Sequence, residues 1–441
     1  MTTAISNLDA DARAVLSGND RGGYTVPSAG LYPYQWNWDS VFTALGFMTF
    51  DEDRAWREIE ALFEAQWANG MVPHIIFRGN DSNYFPGPDV WGADQQDLPW
   101  PTSAISQPPA AATIVRWMLQ QATDPDAARQ RLRGLFPKLL AWHRWWHSAR
   151  DPDGLGIIAV SHPWESGRDN LPDWDRPGEA VDVSAVGDYR RRDTGHVDPE
   201  MRPGKADYDR YLALLQFGRE RAWDQRHIAA ENPFWVADVG VTAILLRAER
   251  DLMATAQALG EAEVAAEIAA RIGRMEAGFE RLWNPACGAY CSLDLRSGQH
   301  AEAATAATFL CWYAGSGSAA RWAELRALFL HWAQRVTFMV PSFDPFNPHF
   351  DALRYWRGPV WAIVNFLVGT GLAEAGETEL AGQLRADTRA LISEHGFAEY
   401  YSALDGQPAG GKAFSWTAAI WLAWASPRAD ASNATLQEMT G

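Results

Sequence analysis

The chain has 441 residues, with 55 acidic against 38 basic side chains and a net charge of −17, so it lacks the basic stripe that a phosphate backbone demands and a nucleic-acid partner is excluded. No window approaches about eighteen uninterrupted apolar residues, so no membrane span is expected, and the N-terminus lacks the basic start and apolar run of a signal peptide. Three cysteines, Cys287, Cys291 and Cys311, fit a reducing compartment better than a disulfide framework, and a cytoplasmic location is expected.

Helical periodicity dominates. In chain order, helices are predicted at 38–50 and 52–67, then 110–122 and 127–150, then 207–223. Further ones follow at 234–260 and 264–282, 301–313 and 319–335, 359–369 and 377–394, and last at 413–424. Val264, Ile268, Ile272, Met275, Phe279 and Leu282 step by three or four, leaving Glu and Arg on the opposite face. Strand-like stretches are few, at 156–160 and 337–341. Hairpins that pair a buried helix with an amphipathic one close as a ring or stack as an open solenoid. A solenoid would show a repeated sequence period and none is present, so the expected fold is all-α, an (α/α)6 barrel. No composition break resembles a linker, and residues 1–426 are read as a single domain. Its long polar insertion at 169–205 is expected to form an ordered lid over the site. The Ala/Ser/Thr-rich tail at 427–441 is expected to be poorly ordered.

Twenty-three tryptophans are present, and Trp36, Trp38, Trp91, Trp100, Trp174 and Trp356 fall in polar or Gly/Pro-rich stretches. A tryptophan in a loop offers a flat apolar face with a donor at its edge, which suits the C–H faces and hydroxyl rims of sugars. Trp164-Glu-Ser-Gly-Arg-Asp-Asn170 fits neither a helix nor a strand period and sets acidic and basic groups beside an aromatic ring. Two carboxylates stand out by context, Asp169 in that loop and Glu399, followed by two tyrosines. Glycosidic hydrolysis needs one carboxyl to protonate the leaving oxygen and another to activate water or attack carbon. The residues alone do not pair these two. Asp39 suits either an N-cap of the helix behind it or a hydrogen bond to sugar hydroxyls. Arg202 and Arg354 are the arginines best suited to a substrate carboxylate. Other chemistries lack their motifs, with no phosphate cradle and no nucleophile elbow. Cys287 and Cys291 lack further metal ligands nearby, and His196 with Asp198 makes half a metal site, read instead as a hydrogen-bonded pair supporting the lid. No metal or cofactor is called for.

Eight segments in this order resemble glycoside hydrolase family 63, in particular its small bacterial members acting on mannosylglycerate and glucosylglycerate. They are Tyr24-Thr-Val-Pro27, Tyr32-Pro-Tyr-Gln-Trp-Asn-Trp-Asp-Ser40, Ser106-Gln-Pro-Pro109, Trp164 to Asn170, Asp207-Tyr-Asp-Arg-Tyr211, Tyr355-Trp-Arg-Gly-Pro-Val-Trp361, Glu399-Tyr-Tyr401 and Phe414-Ser-Trp-Thr-Ala418. The resemblance implies an (α/α)6 barrel and inverting hydrolysis, with Asp169 as general acid and Glu399 as general base. It places Trp36, Asn37, Trp38, Asp39, Gln107, Gly167, Tyr355 and Trp356 around the sugar. Tyr32, Tyr84 and Arg202 would hold the far end, where a glycerate carboxylate would sit, with Arg192 and Arg210 as alternatives to Arg202. The implied reaction releases a hexose from a small hexosyl-glycerate, foremost α-glucosylglycerate. The alternatives are an α-glucosidase for a neutral glucobiose and a non-catalytic sugar-binding barrel. A sugar epimerase or lyase would place histidines at its centre, and the ten here are scattered. The partner is a small-molecule glycoside, and a homo-oligomer is compatible with the sequence.

Overall fold

The computed structural model describes residues 2–79, 81, 84–93 and 97–429. Helices that belong to the ring, in chain order, are α1 (Thr2–Asn19), α2 (Asn37–Met48), α3 (Glu52–Phe63), α4 (Ala111–Gln121) and α5 (Pro125–Arg150). After α6 (Lys205–Glu220), which stands outside the ring, come α7 (Val239–Leu259), α8 (Ala262–Phe279), α9 (Leu310–Ala314) and α10 (Ala319–Trp332). The last are α11 (Ala362–Glu374), α12 (Thr378–His395) and α13 (Ser415–Ile420), which runs on through a wider turn at Trp421–Ala425.

The inner helices α2, α4, α7, α9, α11 and α13 each pack on the next, and α13 packs back on α2, so the ring closes. The architecture is an (α/α)6 barrel. Sequence explains which helices go inside. Every residue of α2 is buried, and α11 is buried from Ala362 to Gly369, as expected of a helix apolar all round. The outer α3 instead buries one face through Trp56, Ile59, Leu62 and Phe63 and leaves Glu52, Asp53, Arg57 and Glu60 on the outer side, while Glu58 is buried and paired with Arg54. Caps fix the ends. The Asp238 carboxylate accepts from Gly240 and Val241 N–H to start α7, and Gly260, at φ 80°, ends it in the left-handed region that favours glycine.

Several sequence expectations shift. The twelfth ring helix is α1, which the periodicity did not reveal and which covers α13 through Ala12 and Leu16, both fully buried. Residues 301–305 are not helical; Thr305 bridges Phe343 in extended form before a tight turn at Ala306–Phe309 leads into α9. The stretch 337–341 makes only one bridge, Pro341 with Val360. There, side chains take the place of a neighbouring strand: Asp387 accepts from Met339 N–H and Asn365 from Val340 N–H, both at 3.0 Å. The strand at Ala159–Val160 does form, pairing with Val236–Ala237 in a small antiparallel sheet. In the segment expected to be a disordered tail, Arg428 pairs with Asp9 and Ala429 is buried; residues 430–441 lie outside the described residues. Among the described residues no helix is long and apolar enough to cross a membrane.

Candidate active site

The pocket opens where inner helices begin. Trp38 and Asp39 sit in the first turn of α2, Trp416 in that of α13, and Gln107 just before α4. Asp169 follows a tight turn at Pro163–Ser166 that is braced on every side. Glu165, fully buried, accepts from the Arg150 guanidinium (2.6 Å) and from the backbone of Ser161 (2.7 Å) and Ser106 (3.3 Å). Arg168 forms a buried ion pair with Asp238, so the residue before Asp169 is tied to the cap of α7. On its other side, Asn170 Oδ1 accepts from Trp356 N–H at 2.9 Å. Just before Arg168, Gly167, at φ 67°, lets the loop close on Trp38: a Cβ there would stand 2.5 Å from the indole.

Glu399 comes from the far end of the chain, at the root of a hairpin pairing Tyr400–Tyr401 with Pro408–Ala409. Its Oε1 accepts from the Tyr32 hydroxyl and its Oε2 from Gly411 N–H, each at 2.8 Å. Arg202 Nη1 lies 3.6 Å from the same Oε1, and its guanidinium sits over the Tyr355 ring at 4.0 Å. Tyr355 itself holds φ 50°, a strained left-handed backbone for a bulky residue.

One pocket is lined by Tyr32, Trp36, Trp38, Asp39, Tyr84, Gln107, Gly167, Asp169, Arg202, Tyr355 and Glu399. Two residues expected around the sugar do not line it. Asn37 is fully buried and donates to the carbonyls of Val72 and Pro73, fastening the start of α2 to the next segment. Trp356 lies behind, its ring stacked on Trp361 with centroids 3.8 Å apart. Asp39 is inside α2 rather than its cap, and its carboxyl points to the pocket. Of the arginines, Arg192 shares the pocket wall with Arg202, whereas Arg210 and Arg354 are not among its lining residues. Asp198 does not pair with His196; it caps the turn at Pro199–Met201. Among the described residues, no group of three or more His, Cys, Asp or Glu is placed to hold a metal ion.

The sequence reading passed over Asp193, which braces Arg202 (3.3 Å), and His74, Trp164 and Trp416 in the aromatic lining. Trp164 and Trp416 stood inside the quoted segments; His74 and Asp193 carried no sequence signal. The insertion supplies Arg192, Asp193 and Arg202, and it is fastened down: Met201 C=O accepts from the Tyr400 hydroxyl at 3.0 Å, and Tyr189 stacks on Phe85.

Charge in the pocket is unevenly distributed. Burial pushes the Asp169 carboxyl up to about 7; Arg202 opposes this and the charge of Glu399 adds to it. Burial also raises Glu399, but Arg202, Gly411 N–H and the Tyr32 hydroxyl all pull it back toward the ionised form. Asp39 is pushed well above the carboxylate range by burial first, then by the charges of Glu399 and Asp169. Asp169 thus favours its protonated form near neutral pH, while the charge of Glu399, on the wall of the same pocket, is supported by three donors.

A helical ring with two such carboxyls across an aromatic hollow is the arrangement of a glycoside hydrolase. The chain matches the family model of the mannosylglycerate hydrolase MGH1-like glycoside hydrolase domain over residues 32–417, and it belongs to glycoside hydrolase family 63. It is 48% identical to a mannosylglycerate hydrolase of Thermus thermophilus, over 93% of this chain and 98% of that one. A glucosylglycerate hydrolase of Mycolicibacterium hassiacum is 33% identical, over 95% of this chain and 98% of that one. The solved family 63 mannosylglycerate hydrolase from Thermus thermophilus, in complex with Tris and D-glycerate, superimposes with a TM-score of 0.91 at 48% identity, covering 95% of this chain and 99% of that one.

Proposed function

We propose that this protein hydrolyses a small α-hexosyl-glycerate with inversion, Asp169 acting as general acid and Glu399 as general base. The observation that carries the reading is the contrast between the two carboxyls. Asp169, raised to about 7, keeps the proton that the leaving oxygen needs. Glu399, held by Tyr32, Gly411 and Arg202, is oriented to take a proton from water on the opposite face of the sugar. No hydrogen bond joins the two. Asp39, whose surroundings favour the protonated form, can offer both a donor and an acceptor to sugar hydroxyls. Arg202 and Tyr32 supply the cation and hydroxyl that suit a glycerate carboxylate. The two relatives differ in hexose, and the higher identity to a mannosylglycerate hydrolase favours mannose over the glucose that the sequence resemblance put first.

The test is proton NMR of the reaction followed from its first minutes, on mannosylglycerate, glucosylglycerate and a neutral α-glucobiose such as kojibiose. Early accumulation of the β-hexose from a hexosyl-glycerate is the expected outcome. Early α-hexose would overturn the mechanism, and preferred turnover of the glucobiose would overturn the substrate class.

A further inference from the structure

Arg202, the cation that the proposed function gives to a substrate carboxylate, lies beside a carboxylate of the protein itself. Its Nη1 stands 3.6 Å from Glu399 Oε1, within ion-pair range, and makes no hydrogen bond among the described residues. Arg202 is only 4% exposed, and a buried guanidinium with an idle donor so near a carboxylate is expected to close on it. The restraint is on its Nε, which donates to Asp193 Oδ2 at 3.3 Å. Asp193 is itself fixed by Arg191, whose Nε and Nη2 donate to its two oxygens at 3.0 and 2.6 Å. Arg191 is anchored in turn, its guanidinium 3.9 Å over the Tyr208 ring and its Nη1 donating to the carbonyl of Pro203, next after Arg202. Burial would raise Asp193, but Arg191 and Arg202 hold it below the ordinary carboxylate range, so it keeps its charge.

We infer, on the footing of the proposed function, that Asp193 is a positioning residue. It competes with Glu399 for Arg202 and holds the guanidinium off the proposed base, leaving the donors on its Nη atoms to the substrate carboxylate. Without Asp193, Arg202 closes the gap to Glu399, and two things are lost. Donors meant for the aglycone are spent on the protein, and a fully paired Glu399 becomes a weaker base. The groups that bear on the Glu399 charge are Arg202, Tyr32, Tyr355, Tyr400, Asp39, Asp169 and Asp193. Of these only Arg202 is a cation, so its position weighs most.

The experiment compares the full-length parent with Asp193→Asn and Asp193→Ala. It reads crystal structures, KM and kcat on mannosylglycerate across pH, and the competitive Ki of free mannose. In both variants Arg202 is expected to hydrogen-bond Glu399, with KM raised about 10-fold, the worth of one charged hydrogen bond. The acid limb of kcat/KM should move to lower pH, because a paired carboxylate takes up its proton later. The Ki of mannose should not change, since the hexose does not depend on Arg202. Asp193→Asn keeps the shape and an acceptor, so its restoring the parent KM and acid limb would show a merely structural role and overturn the inference. Arg202 left in place in both variants, or KM and the mannose Ki rising together, would overturn it as well. Unchanged KM in both variants, with the parent hydrolysing mannosylglycerate, sinks the inference and leaves the proposed function standing. A parent that hydrolyses only the glucobiose sinks the proposed substrate class, while the crystal structures still decide whether Asp193 keeps Arg202 from Glu399.

Discussion

Burial raises both Asp169 and Glu399, but the charge of Glu399 pushes Asp169 further up while Gly411 N–H and the Tyr32 hydroxyl hold Glu399 back, and the difference has measurable consequences. In the proposed mechanism Asp169 works only while protonated, so kcat/KM is expected to fall as pH rises through about 7, where Asp169 ionises. It should fall again on the acid side as Glu399 takes up a proton. Asp169→Asn should remove the alkaline limb along with about 10²–10⁴-fold of activity, a loss set by the usual worth of acid–base catalysis; an unchanged limb would assign it to another group. Stability moves with its own sign. Between its ordinary value of 3.8 and about 7 the folded chain holds a proton on Asp169 that the unfolded chain has released. That contribution is present below pH 4 and is lost as pH rises to 7. The Asn variant should therefore melt higher than the parent above pH 7 and alike below pH 4. A second comparison tests Asp39. If it is a neutral hydroxyl partner, Asp39→Asn, which keeps the shape of a protonated carboxyl, should retain more kcat/KM than Asp39→Ala. At this scale the ordered motifs named most of the side chains that line one pocket, yet they could not say which members of a motif reach it. Asn37 and Trp38 are neighbours at the start of α2 and point to different surroundings, because one supplies amide hydrogens to passing carbonyls while the other turns its ring inward.

Elements differ in how plainly they announced themselves. Long amphipathic helices such as α8 were legible because their apolar spacing is regular over several turns. The first helix was not, since its contact face is made of Ala12, Leu16 and the polar Asp9. That aspartate is the anchor: it accepts from Trp421 Nε1 at 2.8 Å and Ser426 Oγ at 2.9 Å, and Arg428 pairs with it. Asp9→Ala leaves these buried donors unmatched and should cost about 1–3 kcal/mol of unfolding free energy, read by denaturant titration, with KM unchanged. The hairpin that carries Glu399 makes a different prediction. Gly410 sits at φ 72° against the Glu399 carboxylate, and a Cβ there would collide with Oε2 and with the Tyr400 ring. Gly410→Ala should displace the Glu399 carboxylate, the proposed base, and lower kcat about 10²-fold, as small misplacements of reacting groups do, while the far-UV circular dichroism stays that of the parent. The 169–205 insertion gave no periodicity to read, because tight turns and side-chain ties such as Tyr400 to Met201 hold it instead of regular structure.

Across the molecule, the ring gathers the beginnings of its inner helices at one end. Trp38 and Asp39 of α2, Trp416 of α13 and Gln107 ahead of α4 reach the hollow from there, and Arg168 reaches the start of α7 beside it. The positive ends of helix dipoles therefore converge near a pocket rich in carboxyls, which offsets some of their repulsion and suits a negatively charged substrate. The number of hairpins and the absence of a repeat made a closed ring legible from sequence. Its last joint was not, because it unites the two ends of the chain through α1 and α13. That joint sets an order of events during synthesis. The last wall of the hollow, with Trp416 and the hairpin bearing Glu399, leaves the ribosome only after α1 to α12 have emerged, and α1 lacks its partner α13 until then. A nascent chain can thus assemble most of its helical shell before the carboxylate proposed as the base reaches the hollow.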